Sequence, residues 1–144
     1  MIRKILIIVV IVIVTVFLLT QLVPYGRGHT NPPVVREPNW DSPRTRELAQ
    51  RACFDCHSNE TVWPWYSNIA PISWLVVHDT EEGRGRLNFS EWNTGMAREG
   101  SREAGEVVLE GEMPPGLFTM MHPSAKLSDA ERQEFAQGLS NSLR

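Results

Sequence analysis

The hydrophobic pattern along the chain changes character once, near residue 24. Residues Ile5 to Val23 form an uncharged run interrupted only by Thr15, Thr20 and Gln21. The run is apolar on every side rather than on one stripe, and at about 1.5 Å per residue it is long enough for the ~30 Å hydrocarbon layer. It predicts a membrane-spanning helix rather than a core helix. Arg3 and Lys4 precede it, and positive charge stays on the cytoplasmic side, so the rest of the chain is expected outside. No small-x-small site follows, which favours an uncleaved anchor over a removed signal peptide.

Beyond the run the pattern is broken and amphipathic. Residues 25–40 are rich in Gly, Pro and polar residues and read as a linker. Ser42-Pro43 signals a helix start, and that helix is expected to reach about Cys53, with Leu48 and Ala52 on one side. Ser58 to Pro71 reads as irregular. A second helix is expected from Ile72 to about Glu82, with Gly83 able to end it. Ser90 offers a cap within a turn at Asn88–Trp92. A third helix is expected from roughly Ala97 to Glu110, closed by Gly111. Met113-Pro114-Pro115 cannot continue a helix, and a long loop should follow to Lys126. Ser128 and Glu131 form a capping box that opens a last helix with Phe135, Ala136 and Leu139 facing inward. The expected domain organisation is an anchor over 1–24, a linker over 25–40 and an all-α domain over 41–144, without convincing strand pairs.

Composition sharpens this picture. Of the first 23 residues, 18 are apolar, whereas the chain as a whole is 42% hydrophobic. The remainder is therefore poor in aliphatics, below the usual 45–50%, and carries all five Trp. Such a small domain calls for a staple: a disulfide, a metal or a cofactor. Seventeen acids stand against 12 bases after Val23, a net charge of −5 for that part. This excludes a strongly basic nucleic-acid binder, and the single apolar run excludes a multi-span transporter.

The chemistry is concentrated in Cys53-Phe54-Asp55-Cys56-His57, a C-x-x-C-H sequence that contains the chain's only two cysteines. This is the signature of c-type haem attachment. Two thiols three residues apart reach the two vinyl groups on one porphyrin edge, and the next histidine swings under the ring to ligate iron. A disulfide or a zinc site is the competing reading. The first lacks the βαβ surroundings of a redox dithiol, and the second lacks a paired second half, although His78 and His122 could serve.

Candidates for the sixth iron ligand are Met96, Met113, Met120, Met121, His78 and His122. Met113 is favoured, because Pro114-Pro115 stiffen the backbone beside its thioether; His78 is the alternative. Trp63, Trp65, Tyr66 and Trp74 supply flat apolar cover for a macrocycle, and buried indole N–H and phenol groups commonly hydrogen-bond. Arg84 and Arg86 carry forked guanidinium groups suited to a propionate. A solvated basic turn balanced by Glu81 and Glu82 is the other reading of these two arginines.

Three segments, RACFDCHSNET, WPWYSNIAPISWLVVHDTEEGRGRLNFSEW and LEGEMPPGLFTMMHPSAKLSDAERQEF, resemble the haem-binding domain family of bacterial exported proteins, related to class I cytochromes c. The resemblance covers about residues 45 to 139. It implies one covalent haem c on Cys53 and Cys56, His57 as proximal ligand and a cytochrome-c-like helical fold. Its G-x-M-P-P segment points to Met113 as distal ligand, and His78 also falls within the family's motif. The expected role is a non-enzymatic electron carrier at the cytoplasmic (inner) membrane, anchored by residues 5–23 with its haem domain on the periplasmic side. Its partners would be membrane or periplasmic redox proteins, not nucleic acid. A haem sensor or small peroxidase with an open sixth site, or a haem subunit of a larger membrane complex, are the alternatives.

Overall fold

Helix α1 spans Ile2–Thr20 with no buried residue. It starts and stops three residues earlier than the apolar run. The reason is local: Thr20 Oγ1 and Gln21 Nε2 both donate to the Phe17 carbonyl, and Pro24 disfavours helical backbone before it. The computed structural model describes residues 1–92 and 101–143, and these form two compact units.

The first unit comprises Met1–His29 and Trp63–Asp79. Besides α1 it holds a 3-10 turn at Trp65–Asn68 and the first part of a helix that begins at Ile72. The Gln21 side-chain amide clasps Ala70 in both directions, donating to its carbonyl at 2.8 Å and accepting its N–H at 3.1 Å. Arg27 donates to the Gln21 carbonyl. Gly26 adopts φ +81°, and a Cβ there would lie 2.6 Å from the Ser73 carbonyl oxygen. Only glycine allows both the left-handed backbone and the close approach.

The second unit comprises Thr30–Val62 and Thr80–Arg144. Helix α2 is Pro43–Ala52, capped by Ser42 Oγ, which accepts the Thr45 N–H. The short helix α3 is Phe54–His57. Helix α4 runs Ile72–Arg86, α5 is Ala104–Glu110, α6 is Gly116–Met121 and α7 is Asp129–Ser142. The α7 capping box is complete. Its buried face carries Phe135, Ala136 and Leu139, which meet Leu48 and Ala49 of α2, Val108 of α5 and the aromatic pair Phe54 and Phe89 in one apolar core. Among the described residues the architecture is all-helical, and the sole β pairing is an isolated parallel bridge between Arg36 and Glu91.

Four expectations change. Gly83 does not end its helix: α4 passes through it to Arg86. The long loop to Lys126 contains α6 and a 3-10 turn at Pro123–Ala125, because Pro115 is extended and can open a helix at Gly116. The third helix starts at Ala104 rather than near Ala97; residues 93–100, including Met96, lie outside the described residues. The segment read as a linker is docked over its second half. The N–H groups of Val35 and Arg36 donate to the Ser90 carbonyl, the Trp92 N–H donates to the Arg36 carbonyl, and Trp40 packs on the core. Ser90 is correspondingly buried; any helix it could cap falls on residues 93–100, outside the described residues.

Candidate functional site

The C-x-x-C-H residues form a single tight turn at the end of α2. Cys53 ends α2 and caps α3, and its carbonyl accepts the N–H of Cys56 at 3.1 Å and of His57 at 2.8 Å. Residues three apart on a helical turn project to the same side, so the two thiols share a face. Both are half-buried. Burial, reinforced by the neighbouring Cys56, pushes the Cys53 thiol up to about 12. Among the described residues, no three His, Cys, Asp or Glu side chains gather into a metal-ligand cluster.

His57 is held on three sides. Its backbone N–H is bound within the turn, its carbonyl accepts the Phe89 N–H at 2.8 Å, and Nδ1 lies 3.0 Å from the Leu87 carbonyl oxygen. A carbonyl oxygen only accepts, so Nδ1 carries the proton and donates; Nε2 keeps its lone pair. Burial lowers the His57 pKa, opposed by hydrogen bonds to the Leu87 and Gly83 backbone, so the neutral ring is favoured. A neutral imidazole fixed through Nδ1 is the form that ligates a metal through Nε2.

Helix α4 comes so close to this turn that a Cβ on Gly83 would sit 2.5 Å from the Cys56 carbonyl oxygen. That explains a glycine inside a helix: the position demands absence of a side chain, not a helix end. The residues after His57 are tied down in turn. Ser58 Oγ donates to the Phe54 carbonyl, Thr61 Oγ1 donates to the Asp55 carbonyl, and Asp55 Oδ1 accepts the Val62 N–H. Asn59 receives the Asn88 amide on its own carbonyl oxygen and donates to Glu91 and to the Pro33 carbonyl, while its N–H donates to Ser90 Oγ. The S-N-E-T and L-N-F-S-E-W segments are therefore two halves of one buried polar clamp around the attachment turn. Sequence reasoning missed Asn59, Asn88 and Ser90. Their density in two short polar stretches beside the cysteines was the available signal.

Arg84 belongs to this clamp. Nε donates to the Ser58 carbonyl (2.8 Å), Nη1 to the Thr30 carbonyl (3.0 Å), and Nη2 to Asn31 Oδ1 (3.0 Å) and Thr61 Oγ1 (2.9 Å). With four donor contacts made to protein oxygens, Arg84 fastens the loops around this turn. Arg86 pairs with Glu82 one turn away at 2.8 Å, and its side chain is 70% exposed.

Met113 lies in the same unit as the attachment turn. Its N–H and that of Glu112 both donate to the Val107 carbonyl just beyond the Gly111 cap, which holds the backbone while the side chain remains partly exposed. Leu109, Leu117, Met120 and Met121 of the neighbouring helices are also exposed. His122 stacks on Phe118, with ring centroids 4.3 Å apart.

Trp63, Trp65, Tyr66, Trp74 and His78 belong to the first unit. Trp63 stacks on His29 (centroids 4.5 Å, planes 11° apart), whose Nε2 lies 3.0 Å from the Ser67 carbonyl oxygen. His29 was not foreseen, because it sits among linker-like residues. Trp65 meets Tyr66 edge-on and is otherwise exposed, as is His78. Trp74 Nε1 and Ser73 Oγ are buried without a hydrogen-bond partner.

Paired thiols on one turn and a neutral imidazole oriented through Nδ1 are groups that can hold a haem. The residues thus fit the group. No curated protein and no solved structure matches the chain. The family model described as "Haem-binding domain" matches residues 15–141, nearly the whole sequence, and the chain belongs to that haem-binding domain family.

Proposed function

We propose that this protein is a membrane-tethered, monohaem c-type cytochrome that carries electrons on the extracytoplasmic side. The observation that carries the reading is the His57 turn: two thiols on one face and an imidazole whose Nδ1 proton is fixed by the Leu87 carbonyl. Cys53 and Cys56 would hold the macrocycle through thioethers, His57 would supply the proximal nitrogen and Met113 the distal sulfur. The bound haem supplies one-electron exchange between ferrous and ferric iron. The chain's own task is rigidity. The clamp of Asn59, Asn88, Ser90 and Arg84 keeps His57 in one orientation across both oxidation states, and the Leu87 hydrogen bond raises the basicity of the ring. Helix α1 supports the tether, since confinement beside a membrane redox partner raises the effective concentration there.

The test is expression in a host that exports and matures c-type cytochromes, followed by membrane fractionation. Haem staining on a denaturing gel should follow the wild-type chain in the membrane fraction and disappear in a Cys53→Ser, Cys56→Ser double variant. Met113→Ala should abolish the ferric sulfur–iron charge-transfer band and lower the reduction potential, as loss of a thioether ligand does. An unchanged spectrum removes Met113 from the iron. Rapid CO binding by resting ferrous protein would replace the carrier reading with the sensor or peroxidase one.

A further inference from the structure

From Trp63 to His78 the chain carries no charged side chain, with His counted as neutral, although 22% of the whole sequence is charged. Within the first unit this stretch is fastened to the end of α1. Gln21, the residue after the helix, clasps both polar groups of Ala70; Gly26 packs on the Ser73 backbone; His29 stacks on Trp63. A 19-residue helix spans about 28 Å, close to the hydrocarbon thickness. The tether assigned under the proposed function therefore puts Gln21 at the outer boundary of that layer, and Ala70 at the same depth.

The residues beside this clasp are apolar and uncovered. Trp65 is 77% exposed, Ile72 46% and Leu75 44%, together with Leu22 and Tyr25 next to the helix end. Ile72 and Leu75 stand one turn apart on the same side of α4. Aromatic residues with a polar edge concentrate at the headgroup level, and an exposed apolar surface is drawn there by burial; the exposed Arg27, bound to the Gln21 carbonyl, adds one basic group beside it.

We infer that the Trp63–Asp79 segment is a membrane-interface foot, with Trp65, Ile72 and Leu75 inserted among the headgroups of the leaflet that α1 exits. The inference rests on the tethered reading of α1. It gives the anchor a second, shallow contact that restricts the rotation of this unit at the membrane surface.

The experiment uses the full chain matured with its haem and reconstituted in phosphatidylcholine vesicles. Tryptophan fluorescence is compared in unbrominated lipid, in lipid brominated near the headgroup and in lipid brominated deep in the acyl chain. Quenching by the haem is common to the three lipids, so the shallow and deep bromines are compared at the same haem background. Shallow bromines should quench the wild type more than deep ones. Trp65→Phe, a change at an exposed position, should lose that shallow component, and Ile72→Ser with Leu75→Ser should reduce it with Trp65 in place. If the protein floats with the vesicles yet wild type and Trp65→Phe are quenched equally, the foot is wrong while the tether stands. If the protein does not float with the vesicles, the tether falls and the foot with it.

Discussion

Replacing Gly83 by alanine isolates the contact between α4 and the attachment turn. The new methyl carbon would stand 2.5 Å from the Cys56 carbonyl oxygen and 3.1 Å from the Cys56 carbonyl carbon and Cβ, whereas real Cβ atoms keep at least 3.0 Å. The helix and the turn must part by about half an ångström. Overfilling a packed site costs typically 1–3 kcal/mol. Here both sides are backbone with no flexible side chain to yield, which places the cost near 3 kcal/mol. Alanine returns about 1 kcal/mol of helix propensity relative to glycine. The net expectation is about 2 kcal/mol of destabilisation, roughly a thirtyfold change in the folding equilibrium. Gly85, on the same helix, has nothing within 4 Å of its imaginary Cβ. Gly85→Ala therefore carries the propensity gain without the clash and should be neutral or stabilising by up to about 1 kcal/mol. Denaturant titration of the full chain in mild detergent, followed by circular dichroism and haem absorption, measures both. The two variants should move in opposite directions, and Gly83→Ala should also disturb the iron spectrum because the His57–Leu87 bond lies just beyond the strained contact. Gly83→Ala that is as stable as Gly85→Ala would refute the argument.

Two further outcomes are expected. Arg84→Met keeps much of the stem but removes hydrogen bonds to Ser58, Thr30, Asn31 and Thr61; it should cost about 2–4 kcal/mol by the same titration while leaving haem staining intact, and a loss of less than 1 kcal/mol would remove Arg84 from the clamp. Glu131 is held down to about 2, chiefly by the Ser128 N–H and then by Arg51. A carboxylate depressed from 4.5 in the native state stabilises fully above that value and loses its contribution as pH falls toward 2, so the stability of the wild type should decline over that window more steeply than that of Glu131→Gln; parallel pH profiles would contradict the assignment.

Much of this protein is legible along the chain because the decisive signals are local. An all-round apolar run, a Ser-Pro helix start, a capping box and a C-x-x-C-H turn each act within a few residues, and they reappear as α1, α2, α7 and the thiol face of α3. Loop boundaries and charged residues were less readable. Arg84 reads in sequence as either a propionate partner or part of a solvated turn, because four protein oxygens 23 to 54 residues away leave no local signal of the contacts they make with it. The docked part of the linker depended on Ser90, which offered its carbonyl to Val35 and Arg36. Gly83 read as a stop signal because in sequence a glycine reports only its freedom. In the folded chain it is the absence of a side chain against Cys56 that matters.

By itself, then, the amino-acid order determined the helical class, an apolar helix long enough to cross a membrane and the identity of the thiols and imidazole, since periodicity and spacing are properties of neighbours. Tertiary structure decided which nitrogen of His57 holds its proton and what the arginines bind. It also decided that the uncharged Trp63–His78 stretch is fastened to the end of α1. Those depend on backbone carbonyls and clasps brought together from distant parts of the chain, and only folding creates them.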